Sequence, residues 1–132
     1  MQQTVLLAVN GTLMRGLELE QNMIEAGARF IKEARTVPQY RLWSIADKHP
    51  AMVRVSEGEQ GISVALEVWE VPAAGLAGIL LGEPAGLSIG KVCLQSGESV
   101  LGVIGEPALV KGQKDISAYG GWREYLNAVQ KN

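Results

Sequence analysis

Every second residue from Ile62 to Val68 is aliphatic: Ile62, Val64, Leu66 and Val68 alternate with Ser63, Ala65 and Glu67. A period of two sends successive side chains to opposite faces of an extended backbone, so this segment predicts a strand with one covered and one wet face. A chain that contains it has to build a sheet. Thr4–Val9 is continuously apolar and reads as a strand covered on both faces. Ile89–Leu94 and Val100–Ile104 flank a Ser96-Gly97 turn and predict a hairpin, while Arg29–Ala34 and Tyr40–Ile45 are strands on either side of the Pro38 turn. Helical spacing is brief by comparison. It covers Leu19, Met23 and Ala26 before Gly27, then Leu76, Ile79 and Leu80 between Pro72 and Pro84, and finally Trp122, Leu126 and Val129. Many strands and few short helices predict an α+β domain, with a strongly bent sheet or barrel.

With 132 residues and no linker-like tract, residues 1–132 are expected to form a single domain. An apolar share of 47% against 20% charged excludes a disordered chain. A net charge of −2 with scattered basic residues argues against nucleic acid as a partner. The single cysteine, Cys93, allows no internal disulfide and no cysteine-based zinc site; mid-strand, it is expected to pack. His49 is the single histidine and sits in the polar run Asp47-Lys48-His49-Pro50, where a solvated loop is expected. Gly90-Lys91 lacks the flanking residues of a phosphate loop, so neither a metal nor a cofactor is expected. The first residues lack the basic start of a signal peptide, and no stretch is long enough for a membrane helix. With an unpaired thiol, the cytoplasm is the expected compartment.

Two places can carry chemistry. Asn10-Gly11-Thr12-Leu13-Met14 follows the first strand, and glycines at 11 and 16 allow a turn whose backbone N–H groups face an anion, with Thr12 adding a hydroxyl. Glu83 follows Leu76, Ile79 and Leu80 at spacings that put a carboxylate on the apolar side of its helix. Burial there would raise its pKa towards neutrality and suit it to acid/base work. The tetrapeptide Gly82-Glu83-Pro84-Ala85 recurs as Gly105-Glu106-Pro107-Ala108, making Glu106 the second candidate carboxylate. Tyr40 and Arg41 are further binding candidates; alternation turns one of them outward, and an inward arginine could clamp a carboxylate. Trp122 reads as a core anchor and Arg123 as a surface residue.

Three segments carry a family resemblance. Asn10-Gly11-Thr12-Leu13-Met14-Arg15-Gly16 resembles the loop after the first strand in the gamma-glutamylcyclotransferase-like superfamily. Thr36-Val37-Pro38-Gln39-Tyr40-Arg41-Leu42 and Asp115-Ile116-Ser117-Ala118-Tyr119-Gly120-Gly121-Trp122-Arg123-Glu124-Tyr125-Leu126 resemble the allophanate hydrolase C-terminal domain. The resemblance covers nearly the whole chain and implies a small mixed β-barrel with flanking helices. It also implies a substrate that is a small carboxylated amide or urea derivative, held by the first loop and served by a glutamate. In that family the expected reaction is decarboxylation of N-carboxycarbamate in urea-derived nitrogen metabolism; the cyclotransferase alternative is release of 5-oxoproline. Glu83 stands near the cyclotransferase glutamate, and Glu106 matches the allophanate hydrolase pattern. Two positions depart: Asn10 replaces the aromatic that opens the cyclotransferase loop, and Leu13 stands near a histidine of the allophanate hydrolase pattern.

A non-enzymatic alternative makes the chain an accessory or oligomerisation module. Trp43, Trp69 and Leu17 would then form an apolar patch for an amidase partner or a second copy of the chain.

Overall fold

The computed structural model describes residues 3–130. Its strands are β1 (Thr4–Val9), β2 (Arg29–Arg35), β3 (Tyr40–Ile45), β4 (His49–Arg54), β5 (Ala65–Pro72), β6 (Leu87–Cys93), β7 (Ser99–Gly105) and β8 (Lys114–Asp115). Short helices α1 (Glu20–Glu25), α2 (Leu76–Leu81) and α3 (Pro107–Val110) and the longer α4 (Trp122–Gln130) complete it. One sheet has the order β2-β5-β1-β7-β6, the other β4-β3-β8. Central strand β1 pairs antiparallel with β5 and parallel with β7, so Leu7 faces both Trp69 and Leu101. Only its second half, Leu7, Ala8 and Val9, is fully buried, and the chain enters the Asn10–Gly16 loop directly from there.

The expected barrel does not form. The two edges of the larger sheet, β2 and β6, meet at a single bridge, Thr36↔Leu94, and Tyr40↔Ile62 is another isolated bridge. Closure requires a continuous ladder round every strand. The sheets instead meet where β4 touches β7, a contact that depends on Gly105: a Cβ there would lie 2.8 Å from the Cβ of Ala51. The α+β class stands, with two sheets in place of one closed one.

The strand expected around Ile62–Val68 is displaced towards the C-terminus. Ile62 makes only its isolated bridge, and the ladder begins at Ala65. Neither face of β5 is wet: Leu66, Glu67, Val68 and Trp69 are all buried. Trp69 is therefore core, stacked edge-on against Phe30 with centroids 6.0 Å apart, and cannot belong to a docking patch. Leu17 and Trp43 are half-buried, and Leu17 packs on the core. The Ser96-Gly97 hairpin forms as expected, with Gly97 at φ +94°.

Besides the two-residue β8, sequence reasoning missed β4. The turn before it is tight: Ala46 and Asp47 sit in the left-handed region at φ 54° and 58°, and the Lys48 amide donates to the Ile45 carbonyl. Only three residues turn the chain, so His49 already pairs with Ile45 and is buried, correcting its expected place in a solvated loop. Left-handed backbone costs an L-residue about 1 kcal/mol that glycine avoids. Ala46→Gly is expected to recover about 1 kcal/mol less the entropy glycine loses on folding, a gain readable as a higher thermal midpoint.

Candidate functional site

Helix α2 ends at Gly82, and the Glu83 amide still donates to the Leu80 carbonyl at 3.0 Å, which holds Glu83 at the mouth of the helix. Ile79 anchors that helix in the core while Leu81 points out. The Glu83 side chain turns inward. Its Oε1 is sealed from solvent and has no hydrogen-bond partner among the described residues. Burial of the carboxyl, with nothing to offset it, raises its pKa from 4.5 to about 7.

Glu83 shares a small hollow with Asn10, Gly11, Thr12 and Leu13, closed by His49 and Pro50 at the start of β4. The free volume is about 10 Å³, the scale of one water molecule. Asn10 is fixed by its amide, which donates to the Val103 carbonyl at 2.9 Å. The Met14 amide closes the loop by donating to the Gly11 carbonyl at 3.0 Å, so it is not available to a ligand. The amides of Gly11, Thr12 and Leu13 donate to no backbone carbonyl of the loop. Gly11 is needed for a steric reason: a Cβ would lie 2.5 Å from Cδ and 2.6 Å from Cγ of Pro50. Gly11→Ala is expected to push loop and β4 apart at a cost of about 1–3 kcal/mol, measured as a lower urea midpoint.

The other candidates lie elsewhere. Met14 is buried but lines a different, open cleft beside Glu67 and Arg123. Tyr40 is a core residue whose Oη accepts from the Cys93 amide. Arg41 is the outward member of that pair, bound to Asp115 at 2.8 Å. Glu106 is exposed at the start of α3. None of these four lines the Glu83 hollow.

Two groups that sequence reasoning passed over matter to the site. One is His49. Its Nδ1 lies 3.0 Å from the Pro50 carbonyl, which can only accept, so Nδ1 is the donor of that bond. The other is a clasp on the loop's far end. Glu67, only 2% exposed, accepts from the Arg15 amide (2.9 Å), the Arg15 guanidinium (3.1 Å), the Trp69 indole (3.1 Å) and Arg123 (3.0 Å). Arg123 also donates to the Arg15 carbonyl. Far from being an idle surface residue, Arg123 joins α4 to the loop. Burial alone would raise the Glu67 pKa, but these donors outweigh it and hold the carboxyl below its ordinary value.

The model of the allophanate hydrolase C-terminal domain matches residues 5–127. The chain belongs to that family. Urea amidolyase of Lachancea kluyveri is 32% identical over 136 residues, covering 98% of this chain and 7% of the relative, so the chain spans only a small part of that protein's length. A uropathogenic E. coli-specific protein of similar length is 54% identical, with a TM-score of 0.91 over 95% of this chain and 97% of that one. Kluyveromyces lactis allophanate hydrolase matches with 30% identity and a TM-score of 0.89, over 96% of this chain and 22% of that one. The fold is shared by an AIG2-like protein of Mus musculus, at 23% identity and a TM-score of 0.58 over 81% of this chain and 79% of that one. No helix among the described residues is long and apolar enough to cross a membrane.

Proposed function

We propose that the hollow is where this domain handles a small carboxylated amide or urea derivative, with Glu83 as general acid/base. The amides of Gly11, Thr12 and Leu13 and the Thr12 hydroxyl would hold the anion. One observation carries this reading: a carboxyl oxygen that is buried, unpartnered and set in the same hollow as that loop. An orphaned buried oxygen costs stability and is retained where it has a use. With a pKa of about 7, Glu83 holds a transferable proton at neutral pH.

For N-carboxycarbamate the step balances with one proton. The bond between nitrogen and one carboxyl carbon breaks, carbon dioxide leaves, and the electron pair stays on nitrogen. The Glu83 carboxyl delivers its proton there, carbamate departs, and the carboxylate regains a proton from water. Since the hollow has room for about one water, substrate entry requires the loop or the 82–86 turn to move outward. Relatives that carry this domain within an allophanate hydrolase or a urea amidolyase support an amidase as the source of substrate.

The test uses N-carboxycarbamate generated in situ by an allophanate amidase, and a panel of gamma-glutamyl amines. Faster ammonia release than the spontaneous rate, lost in Glu83→Gln, is the expected result. Release of 5-oxoproline would assign the cyclotransferase reaction. Equal inertness of wild type and variant towards both classes would overturn the catalytic reading and leave an accessory module.

A further inference from the structure

A second cleft, of about 320 Å³, lies between β2 and β5 on one side and the start of α4 on the other, and no residue lines both it and the Glu83 hollow. Its volume is at the lower end of the range for small-molecule sites. Glu33 and Arg35 stand on β2 opposite Glu67 and Ala65, so they share a face about 7 Å apart. Arg123 and Glu124 come from the first turn of α4. Much of this charge is already engaged. Buried Glu67 has its four donors, and Glu33 gives one oxygen to Arg15 at 3.3 Å. What remains is specific. Arg123 uses only Nη2, and Arg35 uses only Nη2, on the Ser63 carbonyl at 2.9 Å, so each guanidinium keeps Nε and Nη1. The exposed Glu124 carboxylate makes no hydrogen bond or ion pair among the described residues. Glycine keeps the wall beside these charges bare: a Cβ on Gly121 would lie 2.5 Å from Glu124 Oε1, and one on Gly120 would lie 3.3 Å from Arg35 Nη2. The rest of the lining is apolar, supplied by Met14, Ala34, Ala65 and Leu66. A simple anion would meet Glu33 and Glu124 here, and a simple cation would meet Arg35 and Arg123. A ligand that carries both charges and an aliphatic tail satisfies every part of the lining.

We propose that this cleft binds a free α-amino acid with an aliphatic side chain, its carboxylate on Arg35 and Arg123 and its ammonium on Glu124. Guanidinium N–H groups match a carboxylate in pairs, and the ammonium has three donors that need acceptors. The aliphatic side chain lies against Met14 and Ala34. The site goes beyond the reading of the Glu83 hollow and does not rest on it.

L-leucine is the probe, titrated into the wild-type chain and followed by NMR. Saturable shifts of the Ala34, Ala65 and Gly121 amides are expected. Two analogues each remove one charge: 4-methylpentanoate lacks the ammonium and 3-methylbutylamine lacks the carboxylate. Each is expected to bind about tenfold more weakly than L-leucine, the loss of one charge-assisted set of hydrogen bonds. Arg35→Gln and Glu124→Gln alter exposed side chains with one hydrogen bond and none, so both are expected to fold. Each is expected to weaken L-leucine by about threefold or more, the scale of an exposed ion pair. Arg123 is kept, because it also holds the first loop. Absence of saturable shifts with L-leucine, or shifts confined to residues outside the cleft, overturns the site. An analogue that binds as tightly as L-leucine overturns the two-charge assignment, as does unchanged affinity in either variant.

Discussion

Replacing Glu67 by alanine is expected to cost about 3 kcal/mol, visible as a large fall in the urea midpoint. The carboxylate is buried and accepts from two guanidiniums, one indole and one backbone amide. Alanine removes all of these at once. The guanidiniums of Arg15 and Arg123 are about two-fifths exposed and recover water, so they contribute little to the loss. The Arg15 amide and the Trp69 indole have no such recourse, and an orphaned buried donor costs about 1–3 kcal/mol. Glu67→Gln keeps the volume and an acceptor, and should lose roughly half as much. The pH dependence has a definite sign. Because the folded pKa lies below the ordinary 4.5, the clasp's contribution is complete above that value and fades as pH falls through the folded one. Wild type should weaken in acid where Glu67→Gln does not.

Glu83→Gln should have the opposite effect on stability while removing activity. General acid catalysis is worth about 10²–10⁴-fold, and glutamine cannot donate a proton in that role, so turnover at pH 7 should fall by at least that lower bound. Glu83 titrates at about 7 when folded and near 4.5 when unfolded. Its protonated form therefore contributes fully below pH 4.5, and that contribution disappears as pH rises through 7. Discounted for the part of the side chain that meets water, the swing is about 2 kcal/mol. Between pH 5 and 8 wild type should lose stability steadily while the glutamine variant stays flat. Chemical denaturation at several pH values checks the prediction.

The twin tetrapeptides show how far the sequence could be read. Gly82-Glu83-Pro84-Ala85 and Gly105-Glu106-Pro107-Ala108 are locally identical, yet Glu83 is drawn inward and Glu106 is exposed. What separates them is the preceding element. Ile79 and Leu80 give α2 an apolar side that carries Glu83 with it, and that spacing is visible in the chain. The hairpin around Gly97 and the last helix were legible for the same reason: their signals are local.

The errors came from long-range contacts. Alternation made Glu67 a solvent-facing residue of a half-covered strand, but the Asn10–Gly16 loop and α4 lie over that face. Arg123 looked like surface because its partners are 56 and 108 residues away in the chain. His49 was hidden by polar neighbours and a proline that looked like a loop. Two left-handed residues, one of them an alanine, made the turn shorter than composition suggests. Barrel closure failed for a related reason, since whether edges β2 and β6 share one bridge or a ladder depends on sheet curvature that no single segment encodes.

The Arg123 clasp also has a consequence for synthesis. Its two contacts reach back to Arg15 and Glu67, 108 and 56 residues earlier in the chain, so they cannot form until α4 has left the ribosome. Until then Glu67 has its Arg15 and Trp69 donors but lacks Arg123, and the first loop lacks its tie to α4. The strands of the larger sheet can pair earlier, but the Asn10–Gly16 bend gains its tie to α4 only once that helix has been made, which makes it a late-forming part of the domain.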